Sequence, residues 1–270
     1  MSENVNDAKR GFLKTAMLGA GALGAATPTL AQTRINFASA SDLAPSGDGK
    51  LRHWRATRHQ EGPTVTQRVI AEDCAGAIID VQDYFLRQLG NSTTRKRMEE
   101  GTLNLAKLLG YFRIPIVATL ERPLDLTGSL SAALEKQLGD TTPFEKNFFD
   151  LSKERMIRDH LTRLRKKQVI IAGCETDVCV LQSCLGLIDL GYQVFVVEDL
   201  LFSSTHNVDA ALARMRAEGA VFLTYKTLYY ELREAVGGGW DADDTLASLG
   251  ASPSLVHHPE RRLAHFKAST

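Results

Sequence analysis

Residues 169–183 read VIIAGCETDVCVLQS, and the fold turns on this stretch. Val169, Ile170, Ile171 and Ala172 form an unbroken apolar run rich in β-branched side chains, the pattern of a strand buried on both faces of a parallel sheet. Gly173 interrupts the run. Thr176 or Asp177 is then placed to cap a helix that continues through Val180, Leu181, Leu185 and Ile188 at helical spacing. On this reading Cys179 falls in the first turn of a helix at the carboxyl end of a strand. Unpaired N–H groups and the positive end of the helix dipole there favour a thiolate, and they can cradle an oxyanion beside it. The plainer alternative is a small, inert core cysteine.

Outward from this unit, strand and helix signals alternate. Residues 75–81 (AGAIIDV) read as an apolar strand ending at Asp80, and residues 92–111 as a helix with Met98, Leu103, Leu105 and Leu108 on its inner side. Residues 114–119 (IPIVAT) make the next strand, 128–138 a short helix, and 142–145 a short edge strand followed by Lys146. Ser152 is placed to cap a helix reaching about residue 166. A strand (193–197), a helix (208–218), a strand (220–224) and a helix (228–235) follow, and Gly237-Gly238-Gly239 closes the compact part. Some six alternations predict an α/β three-layer sandwich with a roughly six-stranded parallel sheet. Ligands bind such sheets beyond the carboxyl ends of the strands, where strand order reverses. Asp80, Lys146 and Cys179 all sit at such ends. Singly, each has an ordinary reading: a turn aspartate, a solvated lysine, a core thiol. Phe144, Phe148 and Phe149 flank Lys146 and set its ammonium in a partly apolar cleft.

The 270 residues carry 32 Lys plus Arg against 32 Asp plus Glu, a balance that argues against nucleic acid or an anionic membrane as partner. Four cysteines, Cys74, Cys174, Cys179 and Cys184, form no CxxC pair and no zinc-ligand spacing. Cys74 and Cys174 fall on strands expected to be neighbours, which leaves a disulfide open. Residues 1–31 read as an export signal: Lys9, Arg10 and Lys14 precede a mildly apolar stretch too short for a stable bilayer anchor, and Thr29-Leu30-Ala31 offers small residues for cleavage. The run Lys9-Arg10-Gly11-Phe12-Leu13-Lys14 resembles a twin-arginine signal with lysine in the place of the first arginine. The expected location is periplasmic or secreted after cleavage, with no membrane anchor in the mature form; the alternative is a cytoplasmic protein with a polar N-terminus. A GxGxxG match at Gly19, Gly21 and Gly24 follows no strand and implies no dinucleotide. Residues 32–71 form an N-terminal extension and 237–270 a C-terminal tail, an arm or surface strap containing Pro253 and His257-His258-Pro259.

Asp80-x-Gln82, Lys146 and the block GCETDVCV at 173–180, followed by Gly191-Tyr192-x-Val194-x-Val196-Val197-x-Asp199, resemble the isochorismatase-like cysteine hydrolases over a domain of residues 72–236. The resemblance implies that the first and fourth strands are neighbours at the centre of the sheet, placing Asp80 beside Cys179. It implies Cys179 as nucleophile, Asp80 as the base taking its proton, and Lys146 as the cation that lowers the thiol pKa and holds the carboxylate. It further implies a non-proline cis peptide at Cys174–Glu175, with the backbone N–H groups of Val178 and Cys179 facing the substrate oxygen. Gln82, Phe85, Phe148 and Phe202 are the expected pocket residues. The chemistry implied is hydrolysis of a small-molecule amide, ureide or carbamoyl C–N bond through a thioester, by a homo-oligomer needing no cofactor.

The stretch departs from one branch of the family. Nicotinamidases carry a metal site of one aspartate and two histidines after the second strand, whereas Ala118-Thr119-Leu120-Glu121-Arg122-Pro123 holds no histidine. No metal is expected, and nicotinamide is disfavoured as substrate. His206 reads as a cap or surface residue. Vinyl-ether cleavage of isochorismate is a second enzymatic reading, but the family members that do it lack the nucleophilic cysteine. A non-catalytic oligomeric scaffold is the third.

Overall fold

The computed structural model describes residues 67–235 and 240–253. The export signal, residues 32–66 of the extension, Gly237-Gly238-Gly239 and the chain beyond residue 253 lie outside the described residues. In chain order the elements are β1 (Cys74–Ile79), α1 (Asp83–Gln88), α2 (Ser92–Tyr111), β2 (Ile116–Glu121), α3 (Leu124–Thr127), α4 (Ala132–Leu138), β3 (Phe144–Lys146) and α5 (Arg155–Leu164). They continue with β4 (Gln168–Cys174), α6 (Leu181–Asp189), β5 (Gln193–Phe202), α7 (Asp209–Ala217), β6 (Val221–Leu223), α8 (Tyr225–Ala235) and α9 (Trp240–Ser248).

The six strands are all parallel, in the order β3-β2-β1-β4-β5-β6. The chain builds outward from β1 to β3, then returns to the other side of β1 with β4. The reversal of strand order therefore falls between β1 and β4, the position where such sheets take ligands. Both strands are buried along their whole length, as their continuous apolar runs require.

Successive strand residues feed opposite layers. Ile170, Ala172, Phe195 and Val197 face α2, α8 and α9 through Leu105, Leu109, Leu228 and Leu246. Ala75, Ala77, Val169, Ile171 and Val196 face α5, α6 and α7 through Ile157, Leu161, Leu187 and Met215. This alternation makes the three layers of the expected sandwich. The packed part continues past Gly237-Gly238-Gly239: Leu246 and Ala251 are fully buried, and the Tyr225 hydroxyl donates to the Ala251 carbonyl. Ser152 does not cap α5. It lies inside a 3₁₀ turn, Leu151–Lys153, because the Asp150 carboxylate takes its N–H at 2.9 Å, and α5 starts only at Arg155.

Gly173 draws β1 and β4 together at their carboxyl ends. Its φ is +122°, and a Cβ there would stand 2.1 Å from the Ile79 carbonyl oxygen and 2.8 Å from the Ile79 nitrogen. These are backbone atoms, so no side chain can yield. Gly173→Ala is expected to destabilise the fold by about 3 kcal/mol or more, from overpacking added to an unfavourable φ. A urea midpoint within error of the wild type would refute this.

The disulfide left open by the sequence does not form. All four cysteines are free thiols. Cys74 pairs in register with Gln168 at the opposite end of β4 from Cys174, a separation of about 20 Å at the rise of a parallel strand. Cys74 Sγ contacts Gln168 Oε1 at 3.2 Å, and burial pushes its pKa up to about 12.

Candidate active site

Asp80 follows β1 in the left-handed region, at φ 51°, a conformation that aspartate tolerates better than most residues. Its backbone is held from three sides. Asp80 N–H faces the Thr119 carbonyl at 3.2 Å, and its own carbonyl accepts from Gln82 N–H at 2.7 Å and from the Cys174 thiol at 2.9 Å. Its carboxylate is fully buried: Oδ1 accepts from the Thr119 hydroxyl at 2.7 Å, and Oδ2 lies 2.7 Å from the Lys146 ammonium. Lys146 is the last residue of β3, paired in register with Glu121. It is fully buried too, and its Nζ also reaches Cys179 Sγ at 3.4 Å. The three residues expected to act together are thus brought into contact by β1, β3 and the turn after β4.

That turn differs from the expected helix cap. Residues Thr176–Val180 form a single π turn that runs directly into α6, and neither Thr176 nor Asp177 caps it. The Glu175 carbonyl takes the N–H groups of both Val178 and Val180, each at 3.1 Å. Asp177 instead accepts from the Ser203 hydroxyl at 2.6 Å, and Thr176 is buried. The Cys174–Glu175 peptide is cis. Of the two expected oxyanion donors, Val178 N–H is already engaged with Glu175, so a substrate oxygen would have to share its proton; Cys179 N–H remains the candidate.

The electrostatics also revise an expectation. Burial raises the Cys179 pKa well above the usual thiol range; the Asp80 charge adds to this, Lys146 opposes it, and Glu121 adds again. Desolvation and two carboxylates outweigh one ammonium, and the balance favours the thiol over the thiolate in the resting site. Burial likewise raises the Asp80 carboxyl, with Lys146 pulling it back. Burial alone would lower the Lys146 ammonium, but Asp80 and Cys179 more than offset it, and the lysine stays protonated.

Glu121, the last residue of β2, is the functional candidate that the sequence reading passed over. Its Oε2 accepts from Cys179 Sγ at 3.2 Å. Gln82 sets its position: Gln82 Oε1 takes the Glu121 N–H at 2.7 Å, while Nε2 donates to Thr127 Oγ1 and to the Gly128 carbonyl, each at 2.8 Å. Gln82 is fully buried and acts as this staple, not as a pocket wall. The signal that singles out Asp80, a polar residue at the carboxyl end of a strand, applies equally to Glu121.

Of the expected aromatic walls, Phe148 lines a cleft. It borders a space of about 260 Å³ with Asn147, Phe149, Asp177, Val178 and Gln182. Phe85 and Phe202 are buried in a cluster with Ile78, Leu86 and Cys174, because α1 turns Phe85 inward and Phe202 pairs with Cys174 at the end of β5. His206 is exposed in the bend before α7 and caps nothing.

Asp80, Glu121 and Cys179 each offer a ligand atom within 4.8 Å of the other two. The Lys146 ammonium already supplies the positive charge at this cluster, 2.7 Å from one carboxylate and 3.4 Å from the sulfur. Histidine is absent from the set, and the nicotinamidase-type donor set does not fit these residues.

A parallel three-layer fold with a buried charged cluster at its strand-order reversal defines an α/β protein whose chemistry sits at the carboxyl edge of the sheet. Residues 74–227 match the isochorismatase domain model. The chain is 31% identical over 175 residues to the secreted isochorismatase effector Isc1 of Phytophthora sojae, covering 63% of this chain and 81% of that protein. It is likewise 31% identical over 172 residues to the probable hydrolase YcaC of Escherichia coli, covering 61% and 80%. The crystal structure of YcaC, described as an octameric hydrolase of unknown specificity, superposes with a TM-score of 0.65 and 26% identity over 75% of this chain and 98% of that one. The chain belongs to the isochorismatase family and is a hydrolase of that family. Among the described residues, no helix is long and apolar enough to cross a membrane.

Proposed function

We propose that the protein hydrolyses a small-molecule amide, ureide or carbamoyl C–N bond through a thioester on Cys179, with Asp80 and Lys146 as its acid–base and electrostatic partners and no metal. One observation carries the reading: a single buried ammonium touches both a carboxylate, at 2.7 Å, and a thiol, at 3.4 Å, at the strand-order reversal. As the thiol attacks the carbonyl carbon, its proton passes to a carboxylate, the role that the resemblance gives to Asp80. The oxyanion forms against backbone N–H of the π turn, with Cys179 as the candidate donor. The proton then goes to the departing nitrogen, leaving the thioester. Water attacks next, giving a proton to Asp80, and the sulfur leaves and recovers it. The fixed ammonium stabilises each anionic stage. An intact thiol in this cluster disfavours isochorismate-type vinyl-ether cleavage and the scaffold reading alike.

The reading is tested by screening small amides, ureides and carbamoyl compounds and by trapping the intermediate: acid quench followed by mass spectrometry should find an acyl group on Cys179. Turnover without any acyl-Cys179, or acylation at another residue, would refute it. Activity is expected to survive EDTA. Loss in EDTA, restored by one divalent metal, would overturn the metal-free part.

Assembly into a homo-oligomer belongs to the same proposal. Phe148 and Phe149 are 51% and 53% exposed at the cleft, Met156 on α5 is 73% exposed, and the solved YcaC structure is described as octameric. Export is likewise proposed, supported by the basic and mildly apolar N-terminus and by the description of Isc1 as secreted.

A further inference from the structure

The resting site has two carboxylates and one ammonium around one thiol. Forming a thiolate while both carboxylates stay ionised would leave three negative charges against one positive. The sulfur's proton must therefore remain within the cluster and move to a carboxylate. The two candidates are not equivalent. Asp80 Oδ1 accepts from the Thr119 hydroxyl at 2.7 Å, and Oδ2, which accepts no hydrogen bond, is ion-paired with the Lys146 ammonium at 2.7 Å. Glu121 is only partly buried, and its Oε2 receives the hydrogen bond from Cys179 Sγ itself, at 3.2 Å. Its main chain is anchored by Gln82 and by the Thr127 hydroxyl, which donates to the Glu121 carbonyl at 2.7 Å. Cys174, at the end of β4, also faces this cluster and feels the charges of Asp80, Glu175 and Glu121.

We propose that Glu121 is a fourth catalytic residue, the group that takes the Cys179 proton during acylation and hands it to the leaving nitrogen, while Asp80 stays paired with Lys146 until water attacks. The assignment rests on the thioester reading above and divides its proton transfers between two acids. In acylation the S–C bond forms, the carbonyl π pair moves to oxygen, and the sulfur's proton moves to Glu121 Oε2. As the C–N bond breaks, nitrogen keeps the bonding pair and takes that proton, returning Glu121 to a carboxylate. In deacylation the proton of water goes to Asp80 as the C–O bond forms. The sulfur then leaves with the C–S bonding pair and takes a proton from the Lys146 ammonium, 3.4 Å away, which Asp80 replaces across its 2.7 Å contact. Both carboxylates end ionised and Cys179 ends as a thiol.

Leaving-group dependence tests this. Acetamide and p-nitrophenyl acetate deliver the same acetyl group to Cys179, but the amide nitrogen needs a proton to leave, whereas p-nitrophenolate does not. In Glu121→Gln, kcat/KM for acetamide is expected to fall by about 100-fold or more, as loss of a general acid–base group implies, and acylation by the ester to fall clearly less, by about 10-fold, because the ester still needs the sulfur's proton taken but needs none given to its leaving group. The midpoint pH for iodoacetamide alkylation of Cys179 should fall by about one pH unit, because an anion beside the sulfur has been neutralised. Equal losses on both substrates, or no loss on either, overturn the assignment. If glutamine disturbs the near-UV circular dichroism, Glu121→Asp keeps the charge but withdraws it from the sulfur, and must show the same split between substrates. A wild-type enzyme that forms no acetyl-Cys179 overturns the thioester reading and this assignment with it, a failure visible before any substitution is made.

Discussion

Replacing Cys179 by alanine is expected to lower hydrolysis by roughly ten-thousand-fold or more, the scale on which removing a covalent nucleophile acts. The fold should survive. The side chain is 2% exposed and packs with Val180, Leu181 and Leu187, so losing one sulfur costs about 1 kcal/mol of packing. The loss also removes the hydrogen bonds that Sγ shares with Lys146 and Glu121. The Asp80–Lys146 ion pair, at 2.7 Å, is untouched by the change and should hold the cluster together. The comparison variant is Cys184→Ala, one turn further along α6. Cys184 is fully buried and lies outside the cluster, so its loss should lower stability slightly and leave turnover alone. Substantial turnover by a folded Cys179→Ala protein would remove the mechanism.

Lys146→Met should act on both stability and chemistry. Methionine fills much of the lysine stem but leaves Asp80 buried without its cation. Breaking one side of a buried pair costs about 3–5 kcal/mol near neutral pH. The pH dependence follows from the direction of the Asp80 shift. A carboxyl whose proton affinity is raised in the folded state penalises the fold only while ionised, and removing Lys146 raises it further. The stability deficit of Lys146→Met should therefore be largest at high pH and shrink as the pH falls through the raised Asp80 value. Activity moves the other way. Lys146 is what partly restrains the upward shift of the Cys179 thiol, so without it the cluster retains a proton to higher pH. The acidic limb of kcat/KM and the midpoint of Cys179 alkylation should both rise, each pH unit corresponding to about 1.4 kcal/mol of lost anion stabilisation. An unchanged alkylation midpoint in folded, monodisperse Lys146→Met protein would take Lys146 out of the site.

Much of this was legible in the residues because the parallel sheet leaves a strong mark. The apolar runs at 75–79 and 169–172 could only be doubly covered strands, and polar residues just beyond them stood out as Asp80 and Cys179. Lys146 was legible by its position after a short edge strand. Glu121 was not, because the stretch after the second strand was read for histidines and a lone glutamate before Arg122-Pro123 passes for a surface residue. The π turn was hidden for a different reason. Thr176 and Asp177 are good capping residues by type, yet the Glu175 carbonyl binds the N–H groups of Val178 and Val180 and leaves them nothing to cap. Gln82, Phe85 and Phe202 were legible as important but not as to what they do, since a buried staple and a pocket wall draw on the same residue types.

The cation of the site hangs from one of the two short edge strands of the sheet. β3 has three residues, lies at the sheet edge, and is paired on one side only, through Thr119↔Phe144, Leu120↔Glu145 and Glu121↔Lys146. Catalytic competence and global stability are therefore different cooperative units. Detaching three residues is a sub-global opening that leaves β1, β4 and β5 paired, and it removes Lys146 from Asp80 and Cys179 in one step. On warming or in mild urea the enzyme should fall silent while its far-UV spectrum is still native. The amide protons of β3 should exchange with solvent long before those of β1 and β4.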